Sequence, residues 1–232
     1  MSEERKTTKK TADSKAKIKV SKDGPYLVSG GIPLGEEIIV ADQDGAAWKW
    51  KSGGQFKTGE KYALCRCGES SKMPFCDGSH QEVNFDGEET ASREPYLDQA
   101  EQTDGPELTL TDAIDLCAGA RFCDRAGGTW ELVEHSDDPE AKRLAIQQVA
   151  DCPSGRLVMW NKKGKPIEPD FKPSIGVVED PPAGVSGPLW VRGGIPVESV
   201  DGETYEKRNR VTLCRCGRSK NKPFCDAAHT QG

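Results

Sequence analysis

Near each end of the chain the same order of residues recurs: Cys-x-Cys-x2-Ser-x3-Pro-x-Cys-Asp-x2-His. The first copy is Cys65, Cys67, Ser70, Pro74, Cys76, Asp77 and His80; the second is Cys214, Cys216, Ser219, Pro223, Cys225, Asp226 and His229. Three thiols and an imidazole make a four-donor metal set, so each end is expected to fold around a metal site. Only 34% of the 232 residues are apolar and 30% are charged, which leaves little material for one large core. Small units of that kind need a staple, and metal is a common one.

The repeat extends beyond the donors. Gly24-Pro25-Tyr26-Leu27-Val28-Ser29-Gly30-Gly31-Ile32-Pro33 matches Gly187-Pro188-Leu189-Trp190-Val191-Arg192-Gly193-Gly194-Ile195-Pro196. Self-similarity of this kind marks duplicated structural units. Each reads as strand, turn, strand, then a cysteine loop closing on a short helical turn. The first copy carries an insertion, Asp42 to Gly59, that reads as an enlarged hairpin.

Alternation along a strand puts Cys65 and Cys67 on one face, and Gly68 lets the chain turn away. Cys76 and His80 lie four apart, so one helical turn would bring them together. Ala227 and Ala228 in the second copy favour a right-handed turn there, and Asp77 and Asp226 would accept from backbone N–H groups at its start. Two donors per metal atom suits a binuclear centre at least as well as one ion. Zinc remains the alternative, as a structural adaptor without redox activity, although Cys-x-Cys is tighter than the usual zinc spacing.

These residues resemble the CDGSH iron–sulfur (mitoNEET-like) family, whose Cys-Asp-Gly-Ser-His letters stand intact at Cys76 to His80. The resemblance implies a [2Fe–2S] cluster in each motif. Cys65 and Cys67 (Cys214 and Cys216) would hold one iron, with Cys76 and His80 (Cys225 and His229) holding the other. It also implies β-rich units that pair about a twofold axis, here within one chain.

Between the copies, Cys117, Cys123 and Cys152-Pro153 resemble the divergent single-cluster 4Fe–4S ferredoxins, with Gly119 where a histidine is expected. Three readings stay open. They are a [3Fe–4S] cluster, a [4Fe–4S] cluster with a further ligand such as Asp124 or His135, or no cluster and merely buried thiols.

The fold class expected is therefore α+β: two small β-rich units flanking a ferredoxin-like α/β segment. Residues 1–20 read as a disordered basic tail, 21–93 as the first unit, 94–172 as the middle segment, and 173–232 as a linker and the second unit. The Pro-rich run from Pro166 to Pro188 is expected to be that linker. In the middle, Thr111 is expected to cap a helix through Ile114 and Leu116 to Cys117. Asp138-Pro139-Glu140 should start a second, with Leu144, Ala145, Val149 and Ala150 facing inward, and a strand should follow from Arg156 to Trp160.

No stretch is long and apolar enough for a membrane span, no apolar signal segment is visible at the N-terminus, and nine cysteines are too odd a number for a disulfide framework. A cytoplasmic iron–sulfur protein is expected, with no membrane association and no enzymatic activity, since no phosphate loop or activated nucleophile is visible. Residues 206–226 hold seven basic side chains and residues 94–140 hold thirteen acidic ones. That asymmetry would suit docking onto an acidic redox partner, an apo iron–sulfur acceptor or the middle segment. Nucleic acid is not expected, at a net charge of −6 without a stacking platform.

Overall fold

The computed structural model describes residues 16–43 and 45–231. The first unit contains β1 (Lys17–Val20), β2 (Tyr26–Ser29), β3 (Leu34–Ala41), β4 (Ala47–Gln55) and β5 (Lys61–Leu64), then the cysteine loop and α1 (Ser79–Glu82). The middle segment contains α2 (Tyr96–Gln99), β6 (Glu101–Asp104), β7 (Leu108–Asp112), α3 (Thr129–Glu134), α4 (Pro139–Asp151), β8 (Leu157–Asn161) and β9 (Pro166–Ile167). The rest contributes β10 (Ser174–Asp180), β11 (Val185–Arg192), β12 (Val197–Glu198) and β13 (Arg210–Leu213). The protein is thus mixed α and β, with most of its regular structure in sheets.

Two terminal sheets exchange strands. One runs β12-β1-β2-β5 and the other β13-β11-β10-β3-β4. The second copy lends β12, parallel to β1, while the first lends the β3–β4 hairpin, with β3 parallel to β10. A common core joins them, with Ile18, Tyr26, Leu34 and Leu64 packed among Ile175, Leu189, Val211 and Leu213. The third sheet, β6-β7-β8-β9, is antiparallel throughout and is covered by α3 and α4 over Leu108, Leu110, Leu132, Val149 and Met159.

Several expectations need correction. Lys17–Val20, read as tail, is a strand: Ile18 and Val20 are buried, while Lys17 and Lys19 reach outward to Glu198. The alternation was hidden in a lysine-rich composition. The rest of the tail, residues 1–15, lies outside the described residues. The run taken for a linker contains β10, a central strand paired on both edges, with Ile175, Val177 and Val178 buried. Its prolines flank a β-branched stretch without entering it. Thr111 caps no helix; it lies in β7, and its hydroxyl accepts from Trp160 Nε1 at 2.8 Å. The helix expected after it is a single 3-10 turn, Ile114–Leu116.

The second middle helix forms where expected, because the Asp138 carboxylate accepts from the Glu140 and Ala141 amides and Pro139 presets the first turn. Ala145 and Val149 are fully buried, Gln148 joins them, and Leu144 and Ala150 are only half-buried. The next strand is Leu157–Asn161, one residue later than expected. The Asp42–Gly59 insertion is a hairpin, β3 turning into β4. Among the described residues no helix is long and apolar enough to cross a membrane.

Candidate metal centres

The two cysteine loops are built alike. At the end of β5 the Cys65 amide donates to Pro74 O (2.8 Å) and the Cys76 amide to Ala63 O (3.0 Å). At the end of β13 Cys214 donates to Pro223 O (2.8 Å) and Cys225 to Thr212 O (2.9 Å). Each loop is braced by its serine hydroxyl, Ser70 Oγ donating to Phe75 O at 2.6 Å and Ser219 Oγ to Phe224 O at 2.7 Å. Asp77 accepts from the Ser71 and Ser79 amides, and Asp226 from those of Lys220 and Ala228. The hydroxyls of Ser79 and Ser71 also hold the Asp77 carboxyl well below the usual carboxylate range.

This bracing delivers the donors in pairs. Cys65 and Cys67 sulfurs stand 3.7 Å apart, and Cys214 and Cys216 sulfurs 3.8 Å. Cys76 Sγ lies 3.4 Å from His80 Nδ1, and Cys225 Sγ 3.5 Å from His229 Nδ1. Among the described residues no three His, Cys, Asp or Glu side chains converge closely enough to hold a single metal ion.

The second pair in each loop is formed differently from expectation. Ala227 adopts φ +65°, in the left-handed region, matching Gly78 at φ +101°, and the right-handed turn begins only after it. Alanine there is strained, and the surrounding Asp226 bonds hold it.

The two loops also meet. Gly68 has φ +90°, and a Cβ on it would stand 2.7 Å from Cys216 O; a Cβ on Gly217, at φ +75°, would overlap the Cys67 carbonyl. Beneath the second loop, Tyr26 of the first unit donates its hydroxyl toward Cys214 O (2.9 Å) and Pro223 O (3.0 Å). The sequence comparison had aligned Tyr26 only with Leu189, so this role was not visible. The arginine inside each Cys-x-Cys was missed too, though alternation contains the signal: with both thiols on one face, the residue between them must point to the opposite face. Arg66 donates to Ser21 O and Gly87 O, and Arg215 to Gly187 O, Val178 O and Glu179.

Burial dominates the electrostatics. It pushes Cys67 up to about 11 and Cys225 up to about 12, and it lowers His229, favouring the neutral ring. Cys216 is lowered to about 5, first by the hydrogen bond from Cys214, which correspondingly holds its proton, and then by Arg218. Metal loading must displace protons from the buried thiols. A set of three thiols and a neutral imidazole fits a thiophilic centre whose metal atoms each take two of these donors.

In the middle, Cys117, Cys123 and Cys152 line one small cavity together with Gly119, Phe122 and Ser154. Burial raises Cys123 to about 12. His135 is not brought there; it is exposed at the end of α3 and pairs with Glu131 at 3.0 Å. Asp124 is exposed, with one oxygen 3.5 Å from Cys123 Sγ. Ser154, which sequence reasoning did not single out, is buried with its hydroxyl 3.5 Å from Cys152 Sγ. The basic stretch is partly consumed internally. Arg210 donates to Cys152 O, Val149 O and Leu157 O and pairs with Glu168, while Arg208 donates to Gly155 O and stacks 3.9 Å from the Tyr96 ring centre.

Comparison with known families agrees with this layout. The model described as iron-binding zinc finger, CDGSH type, matches residues 23–81 and 186–230. The model of the divergent 4Fe-4S mono-cluster family matches residues 103–162. No curated protein and no solved structure gave a significant match. The chain therefore carries two CDGSH-type iron-binding domains around a divergent 4Fe-4S segment, the domains of an iron–sulfur-binding protein.

Proposed function

We propose that each terminal loop holds a [2Fe–2S] cluster and that the chain carries electrons or clusters to a protein partner. One iron would be held by Cys65 and Cys67 (Cys214 and Cys216), the other by Cys76 and His80 (Cys225 and His229). The observation that carries the reading is the division of donors into close pairs, 3.4–3.8 Å apart, at both loops. A mononuclear zinc site needs four donors about one point.

Such a cluster supplies one-electron chemistry at a potential that a histidine ligand raises above the all-cysteine value. The protein's own part is to keep donors paired, to exclude water with Cys65, Cys214 and Cys225 buried, and to hold the His229 ring neutral. The middle cavity suits a third, ferredoxin-like centre on Cys117, Cys123 and Cys152, [3Fe–4S] or completed by a non-cysteine donor to [4Fe–4S]; Ser154 and Asp124 each place an oxygen 3.5 Å from one of its thiols. Nine unpaired cysteines suit the reducing cytoplasm. The partner we infer is a redox protein or an apo iron–sulfur acceptor, and we assign the chain no catalysis of its own.

Iron and acid-labile sulfide measured per chain on anaerobically purified protein, with its visible spectrum, test the reading. Four irons and four sulfides correspond to two centres, and more to an occupied middle site. Colourless protein holding zinc without sulfide refutes it. Reduction by a flavin reductase against transfer to an apo-ferredoxin then separates carrier from donor.

A further inference from the structure

The two loops share a donor set, but their surroundings differ. The histidine end of the second loop is closed. Cys225 is 2% exposed and His229 7%. Gly119 of the middle segment, at φ +67°, is pressed against it so closely that a Cβ would stand 3.1 Å from Ala227 Cβ and 3.2 Å from Thr230 Cγ2. The adjoining corner is tied down as well. Asn221 Nδ2 donates to Asp115 O at 2.8 Å, and the Thr90 and Ala91 amides donate to Lys222 O at 2.8 and 2.9 Å.

The first loop has an open histidine end. Cys76 and His80 are half-buried, and the residues corresponding to Asn221 and Lys222 are Lys72 and Met73, both exposed. At the Cys-x-Cys end the order reverses, since Cys216 is half-buried and Cys67 buried. The histidine end decides accessibility to exchange, because a neutral imidazole leaves iron more readily than a thiolate does.

Resting on the cluster reading above, we infer that the middle segment is a lid on the second site, and that ligand exchange with an outside acceptor takes place first at the first site, through His80, while the second site exchanges only when the lid opens. The acceptor is a chain presenting four thiols. In the exchange the bonds from Cys65, Cys67, Cys76 and His80 break and four iron–thiolate bonds form. No electron moves. Three of the acceptor's four protons pass to the freed thiolates and the fourth to the imidazole or water. The second site, closed at its histidine end by Gly119, which also lines the middle cavity, releases its cluster only through that opening and otherwise serves transfer within the molecule.

The test is anaerobic cluster loss from the loaded full-length chain to excess apo-ferredoxin, followed by visible absorbance. Two phases of equal amplitude are expected, the slower by roughly tenfold or more, as a required local opening imposes. His80→Cys should abolish the fast phase, and His229→Cys should leave it intact. Gly119→Val, which forces the lid away, should speed the slow phase. Amide hydrogen exchange of the loaded chain should be faster at residues 77–82 than at 226–231. A single phase, or a fast phase that vanishes in His229→Cys, overturns the inference while leaving the two-cluster reading in place. Absence of sulfide overturns both.

Discussion

Replacing Gly217 with alanine tests the reciprocal contact between the cysteine loops. Two penalties combine there. The backbone sits at φ +75°, where an L side chain costs about 1–2 kcal/mol. The new methyl also meets the backbone carbonyl of the buried Cys67, which is not the free end of a flexible side chain; overpacking of this kind adds about 1–3 kcal/mol. The expected total is about 2–5 kcal/mol. Gly202 supplies the control, since it has φ +92° with nothing within 4 Å of the added carbon, so Gly202→Ala should cost only the backbone part. Urea unfolding followed by tryptophan fluorescence measures both. Because the obstructing carbonyl lies in the other copy, Gly217→Ala should disturb the visible spectrum of both sites. Gly68→Ala, pressed against Cys216 O, should do the same in reverse. If Gly217→Ala proves no more costly than Gly202→Ala, the loops do not meet as described and the reasoning fails.

Two further outcomes are expected. Arg210→Met strips Cys152 O, Val149 O and Leu157 O of a charged donor and leaves the Glu168 carboxylate with the neutral Asn209 amide in place of a cation, which should cost about 3–5 kcal/mol by urea unfolding, with Arg210→Lys recovering little because an ammonium cannot span the same carbonyls. In the metal-free chain the lowered His229 favours the neutral ring in the folded state. Its contribution is therefore present above the ordinary histidine value of about 6.5 and is lost as pH falls below it, by at most about 1.4 kcal/mol per pH unit. Urea midpoints between pH 7.5 and 5 should fall accordingly, and His229→Gln should flatten the profile.

The donors, their spacing and their duplication are local facts, so the sequence alone was enough to set out the two candidate donor sets. Cys-x-Cys alternation, the backbone amides that donate to Asp77 and Asp226 and the start of α4 at Asp138-Pro139 follow from the chemistry of a few neighbouring residues. What depends on distant residues was decided only in the tertiary structure. Ile18 and Val20 become a strand because β12, far along the chain, offers a partner and a core for them. The run called a linker becomes a central strand because β3 and β11 close on either side of it. Ala227 accepts a left-handed backbone against its own preference because the paired loop requires the geometry of Gly78. The difference between the sites has the same origin: Gly119, lacking a side chain, lets the middle segment approach His229, whereas the His80 end of the first loop stays open. Burial and approach are sums over the whole fold, and no window of sequence contains them.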